Sequence, residues 1–209
     1  MTLLKICGLT RAEDVELVDS VAEYAGFIVD PTTSSPRRIR PDDAASLASL
    51  LSRAKPVAVF DALSPGDAVE LARRIDLPVA QIPSRVGEDV VELARGYGIR
   101  IAPVAVYGRD DVLREAARLI SMDVEYVLVD AVKGSEVRYK YGLKLPWELV
   151  ERLASMEKIA LAGGIAPESA ERLAALRPYM VDVASGVESS PGVKDRGKVL
   201  ALARALGKV

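Results

Sequence analysis

Eight apolar runs of strand length recur along the chain at intervals of very roughly 25 residues, each followed by a polar stretch with helical spacing. The runs are 3–7 (LLKIC), 24–29 (YAGFIV), 56–60 (PVAVF), 77–82 (LPVAQI), 99–106 (IRIAPVAV), 124–130 (VEYVLVD), 158–162 (KIALA) and 180–184 (MVDVA). Between them, 11–22 places Val15, Leu17, Val18 and Val21 on one helical face, and 109–120, 146–155, 167–175 and 195–206 repeat the pattern. Pro41, Pro65, Pro146 and Pro167 sit where first helical turns would begin. Near-continuous apolar strands alternating with amphipathic helices imply a parallel sheet covered on its outer face. Eight such units predict an α/β chain closed into a single-domain (β/α)8 TIM barrel spanning 1–209. The competing fold is an open doubly wound sheet, but no G-x-G-x-x-G follows the first strand and there is no P-loop.

With 209 residues, half of them apolar, the chain has material for one well-buried core. It has neither an apolar stretch of membrane-span length nor a signal-peptide pattern, so a soluble cytoplasmic protein is expected. A formal charge of −2, with basic residues spread along the chain, offers no general attraction to nucleic acid or anionic membrane. The single cysteine excludes an intramolecular disulfide, and the lack of histidine excludes Ser-His-Asp catalysis and His-ligated zinc. Proton transfer would fall to Asp, Glu, Cys, Lys or Tyr. Asn is absent and Gln81 is the sole glutamine, an amide-poor bias that suggests a heat-adapted source.

In such a barrel the functional face lies at the C-terminal ends of the strands. The residues closing the runs are Cys7-Gly8, Asp30, Asp61, Gln81, Asp130, Gly163-Gly164 and Ser185-Gly186. Cys7 reads as a general base or nucleophile, or equally as a small buried apolar residue. Asp130, beside a strongly apolar strand, is a candidate general acid if desolvation raises its pKa; the alternative is a solvated loop residue. The small residues of LAGGIAPES and VASGVESSPGVKD leave backbone N–H groups open to a phosphate. SSPRRIR concentrates Arg37, Arg38 and Arg40, either to fork onto a substrate carboxylate or to pair with Asp42 and Asp43. RYKYG (138–142) reads as a lid or as plain surface, and Trp147 as helix packing.

These stretches, taken in order, resemble one family. KICGLT, GFIV followed by SPRRI, VAVF, Gln81 after PVA, VLVDA, LAGGIAPE and VDVASGVESSPGVKD together are similar to the phosphoribosylanthranilate isomerases. The resemblance covers nearly the whole chain and implies an Amadori rearrangement in tryptophan biosynthesis. N-(5-phosphoribosyl)anthranilate becomes 1-(2-carboxyphenylamino)-1-deoxyribulose 5-phosphate, with no metal or redox cofactor. It implies Asp130 as the acid that opens the furanose ring and Cys7 as the base at C2. Arg37, with Arg38 as the fallback, would face the anthranilate carboxylate. Gln81 and Asp182 would line the pocket, and phosphate would lie against Gly163, Gly164, Ser185 and Gly186. The implied partner is one small phosphorylated molecule, in a monomer or homodimer.

Two departures stand out. Where the family usually has Q-L-H-G, the chain has Gln81-Ile82-Pro83-Ser84, and the glycine-rich loop leading to F-D-W is replaced by KGSEVRYKYGLKLPW. The rival readings are the histidine-pathway aminoaldose isomerase, whose corresponding base is an aspartate, and a barrel that binds a phosphorylated metabolite without turnover.

Overall fold

Along the first strand, Leu4 and Ile6 pack outward into one apolar cluster while Cys7 belongs to a second, inner one. A period-2 strand with both faces covered produces this division, and it repeats around the sheet. Phe27, Ala58 and Ala80 lie in the outer cluster, whereas Val57, Val79, Tyr126, Leu128 and Met180 lie in the inner one. The computed structural model spans Met1–Val209 and describes every residue except Ser84, Asp110, Lys133 and Ser135.

Eight parallel strands close into a barrel in sequence order. They are β1 (Leu3–Cys7), β2 (Tyr24–Ile28), β3 (Lys55–Val59), β4 (Val79–Ile82), β5 (Arg100–Tyr107), β6 (Val127–Ala131), β7 (Ile159–Leu161) and β8 (Met180–Val183). Closure comes from β8 pairing with β1, where Lys5 stands opposite Asp182, and on its other side β1 sets Cys7 opposite Gly26. Eight helices cover the sheet: α1 (Ala12–Asp19), α2 (Pro41–Ala48), α3 (Pro65–Arg74), α4 (Glu88–Gly96), α5 (Val112–Ile120), α6 (Trp147–Ala154), α7 (Pro167–Leu176) and α8 (Arg196–Ala205). Proline opens α2, α3 and α7 because the first helical turn needs no N–H partner there. No helix among the described residues is long and apolar enough to cross a membrane.

The expected boundaries shift in physically readable ways. The strand expected over 124–130 begins at Val127, since Glu125 donates its N–H to Ile101 before the ladder with β5 starts. The helix expected over 109–120 begins at Val112, with Asp111 capping Arg114 N–H; Asp110 lies outside the described residues. One element was not expected. After β8 the chain makes a 3-10 turn (Ser185–Val187) and an antiparallel hairpin, β9 (Glu188–Ser190) with β10 (Val193–Lys194), before α8 starts.

Asp30 ties two of the strand-end loops together. Its buried carboxylate accepts N–H bonds from Asp61, Ala62 and Leu63 at 2.7–3.0 Å on one oxygen, and from Thr32 N–H and hydroxyl on the other. The residue read as a possible site group therefore organises the loops after β2 and β3. Burial pushes its pKa up, but these donors outweigh burial and hold it below the ordinary aspartate value. Asp30→Asn should cost about 2–3 kcal/mol, because an amide turns one acceptor into a donor facing N–H groups. That corresponds to a drop of about 5–10 °C in the thermal midpoint. Because the folded pKa is depressed, the wild-type contribution is present above the unfolded value and lost as pH falls through the folded one. Denaturant titrations of both proteins across acidic pH should show their stabilities converging as the solution is acidified.

Candidate active site

At the C-terminal ends of the strands the barrel opens into a cavity of about 500 Å³. Its wall carries Cys7 from β1, Arg37 from the loop after β2, Gln81 from β4 and Asp130 from β6. Gly163 and Gly164 after β7, with Asp182, Ser185 and Gly186 from β8 and its loop, complete the set. The nine residues that the family resemblance implies for the site thus line one space, with Asp61 beside them, whereas Asp30 lies off it. Arg38 does not line it: its guanidinium donates to Pro31 O at 3.0 Å, and Arg40 pairs with Asp43 at 3.4 Å. Arg138, Lys140, Tyr141 and Trp147 also lie off the cavity wall. Trp147 is stacked edge-on against Tyr141 with ring centroids 4.9 Å apart, and its indole N–H donates to Glu151 at 2.7 Å, which is the packing role expected.

The floor is a polar layer enclosed by apolar side chains. Lys5, on the same face of β1 as Cys7, is fully buried and donates to Asp182 Oδ2 at 2.7 Å. The other carboxylate oxygen, Oδ1, is buried with no partner among the described residues. Burial favours loss of the Lys5 proton, but Asp182 outweighs it and holds the lysine pKa above its ordinary value. Beside this pair, Tyr126 donates its hydroxyl to Gln81 Oε1 at 3.1 Å, so the Gln81 carbonyl oxygen is engaged within the barrel.

The two candidate proton-transfer groups sit on β1 and β6, on different sides of the mouth. Burial pushes the Cys7 thiol up; the cations Lys5 and Lys194 pull it down and Asp182 pushes it up further, leaving it raised. Burial also raises the Asp130 pKa, opposed by the Ala131 N–H that its Oδ1 accepts at 2.7 Å and assisted by Asp182. Neither acid is in an ordinary aqueous setting, and the carboxyl has been moved toward neutrality.

Glycine matters at two places. A Cβ on Gly26 would lie 2.8 Å from Cys7 Sγ, so the thiol occupies room that only glycine leaves on the neighbouring strand. A Cβ on Gly186 would lie 1.9 Å from Ile165 O, so the loops after β7 and β8 can meet only with glycine there. The resulting cradle is lined by backbone rather than side chains. The α-helix after β8 starts beyond the hairpin, at Arg196, while α7 begins at Pro167, close after Gly164.

Comparison with known proteins follows the same lines as the geometry. The family model of N-(5'phosphoribosyl)anthranilate (PRA) isomerase matches residues 4–205. A relative from Pyrobaculum islandicum, an N-(5'-phosphoribosyl)anthranilate isomerase, is 53% identical over 208 residues, 99% of each chain. The chain belongs to the PRA isomerase family. Among solved structures, the phosphoribosyl anthranilate isomerase of Thermus thermophilus superposes with a TM-score of 0.81 at 32% identity, covering 99% of this chain and 98% of that one. The enzyme from Thermotoga maritima gives 0.83 at 26% identity over the full length of both. Membership carries the coarse assignment, an isomerase of tryptophan biosynthesis, and the sources of these relatives fit the amide-poor composition.

Further residues of this family member's site lie beyond the nine. Lys5 was visible as the i−2 neighbour of Cys7, which strand period places on the same face. Lys144 and Gly134 reach the wall from the loop after β6, and Lys144 N–H is fixed to Gly163 O at 2.8 Å. Thr33, Ser34 and Ser35 line the mouth beside Arg37 with no distinguishing spacing. Because Cys7 is the sole cysteine, its chemistry is directly readable. Gly26→Ala should leave the fold intact but displace Sγ, lowering kcat by about 10-fold to 100-fold. Steady-state rates, with circular dichroism as the folding control, check this, and an unchanged kcat would show that the thiol position is immaterial.

Proposed function

We propose that this cavity converts N-(5-phosphoribosyl)anthranilate into 1-(2-carboxyphenylamino)-1-deoxyribulose 5-phosphate, with Asp130 as general acid and Cys7 as general base. The observation that carries the reading is the sharing of one cavity by a burial-raised carboxyl and a thiol on separate strands. Between them an arginine and a backbone-lined cradle stand at different parts of the wall.

The chemistry needs two proton transfers at different atoms of one sugar. Protonated Asp130 gives its proton to the furanose ring oxygen; the C1–O bond breaks toward that oxygen, and the anilino nitrogen lone pair closes an iminium at C1. Cys7 thiolate then takes the proton from C2, and the C–H electron pair forms the C1–C2 double bond while the iminium electrons return to nitrogen. The enol so formed tautomerises to the ketone. Raising the carboxyl keeps Asp130 protonated at higher pH, as its role requires. The thiol is harder to ionise in the empty cavity, and the iminium produced by the first step places a positive charge next to the bond that the thiolate attacks. Arg37 binds the anthranilate carboxylate, the one loop arginine of the three to line the cavity. Phosphate binds at Gly163, Gly164, Ser185 and Gly186, which holds the sugar in register, while Asp182 and Gln81 shape the floor beneath it.

Cys7→Ala and Asp130→Asn should each lower kcat by about 10²-fold to 10⁴-fold with product affinity largely retained. The readout is the decay of substrate fluorescence, and wild-type turnover in either variant would reassign the role. Arg37→Ala should act on KM, by roughly tenfold, with Arg38→Ala near wild type. No turnover by the wild-type chain at any temperature the fold survives would leave a binding barrel as the reading.

The pH dependence follows from the two shifts. Below the Asp130 pKa both groups carry protons and the base is missing; above the Cys7 pKa both are deprotonated and the acid is missing. A bell-shaped kcat/KM profile is expected, its acid limb above an ordinary aspartate and its alkaline limb above an ordinary thiol. In the residual activity of Asp130→Asn the alkaline limb should vanish, leaving a single rise with pH through the Cys7 pKa.

A further inference from the structure

Behind the cavity wall lies a charge cluster that the two proton transfers do not use. Glu188, at the start of the hairpin after β8, is buried. Its carboxylate accepts from Arg37 Nε at 2.9 and 3.1 Å and from Arg37 Nη2 at 2.7 Å. It also accepts from Lys194 Nζ at 2.8 Å and from Gly192 N–H at 3.3 Å. Lys194 is itself fully buried and donates to the carbonyl of Cys7 at 2.7 Å.

A guanidinium has five N–H donors in a planar fork. Glu188 occupies the side edge formed by Nε and Nη2, which leaves the end edge, Nη1 with the second Nη2 hydrogen, for another carboxylate. The arginine stem is seated as well: a Cβ on Gly8 would lie 2.6 Å from Arg37 Cδ, so the stem crosses the backbone directly after Cys7. An arginine–glutamate pair alone carries no net charge, which weakens the pull of its free edge on a carboxylate. Lys194 adds a positive charge beside the neutral Arg37–Glu188 pair and lies off the cavity wall, its main-chain N–H held by the buried Asp14 carboxylate at 3.1 Å.

We infer that Glu188 is a positioning residue for substrate binding: it locks the Arg37 end fork toward the cavity, and Lys194 supplies the positive charge that lets the locked pair hold the substrate carboxylate. This rests on the reading of Arg37 as the carboxylate contact. The cluster also joins carboxylate recognition to the Cys7 main chain through one hydrogen bond, so the ring that Arg37 holds and the base at C2 share a common anchor. The hairpin exists to bring Glu188 and Lys194 together, since their backbones pair across it.

The test compares two substrates, N-(5-phosphoribosyl)anthranilate and the aniline analogue that lacks the carboxylate, in the wild type, Glu188→Gln, Glu188→Asp, Arg37→Ala and the Arg37→Ala/Glu188→Gln double variant. The wild type should prefer the carboxylate substrate. Glu188→Gln should cut that preference about tenfold through KM, lower turnover of the aniline analogue by less than that of the carboxylate substrate, and add nothing to the loss of preference in the Arg37→Ala background. Glu188→Asp keeps the anion beside Lys194 and should fall between wild type and Glu188→Gln, which keeps the inference testable if the amide variant does not fold. Equal losses on both substrates, or an additive loss in the double variant, would overturn the positioning role. Preference lost in Arg37→Ala but intact in Glu188→Gln and Glu188→Asp would overturn it alone; preference intact in Arg37→Ala would overturn the carboxylate reading and the positioning role together.

Discussion

The ion pair between Lys5 and Asp182, sealed inside the barrel, is the interaction on which the remaining site geometry depends. It joins the first strand to the last at the seam where the sheet closes, with the two residues directly opposite in the ladder. A buried pair of this kind is weak as a source of net stability, because desolvating both charges offsets most of their attraction. Its value is that neither partner tolerates the loss of the other, so the register between β1 and β8 is fixed. A slip of one residue would bury an unpaired ammonium and carry Cys7 to the helix-facing side.

From that seam the electrostatics of the mouth follow. Lys5 stands below Cys7 and lowers the cost of forming its thiolate, while Asp182 raises it and also disfavours ionisation of Asp130. One carboxylate therefore pushes both Cys7 and Asp130 toward their protonated forms, and the adjacent cation moderates the effect at the thiol. Asp182 Oδ1 has no donor among the described residues, and a buried acceptor left so is costly in a finished core. That cost falls at the cavity wall.

The barrel was legible in the sequence because burial on both faces of every strand writes continuous apolar runs, and because each run is spaced by one helix. The strand ends then supplied seven of the nine wall residues, while Asp182, and the choice of Arg37 among the loop arginines, came only with the family resemblance. What they missed has a common physical cause. Lys5 lies two residues before Cys7, but strand alternation alone does not guarantee that both side chains meet the cavity. Lys144 sits in a loop whose path is set by a hydrogen bond to Gly163, a contact no local pattern encodes. Asp30 was marked as a strand-end acid, yet five donors from two loops claim its carboxylate, and only the fold reveals that both loops turn toward it.

Glu188 shows the same limit from the opposite side. SGVE was prominent in the sequence as part of a family-like motif, but its small residues drew attention to backbone and phosphate. The hairpin that follows is too short and polar to register as strands, and pairing Glu188 with an arginine 151 positions away is a property of closure. Closure brings the loops after β2 and β8 together on either side of β1. That makes the loop after β8 do two separate jobs: its first residues leave backbone open as a cradle, and its last ones carry the charges that steady Arg37. A barrel with the shortest possible connection after β8 could supply the cradle alone. The added hairpin is the length required to reach past Cys7 to the far loop, and the Lys194 bond to the Cys7 carbonyl marks the point where it crosses.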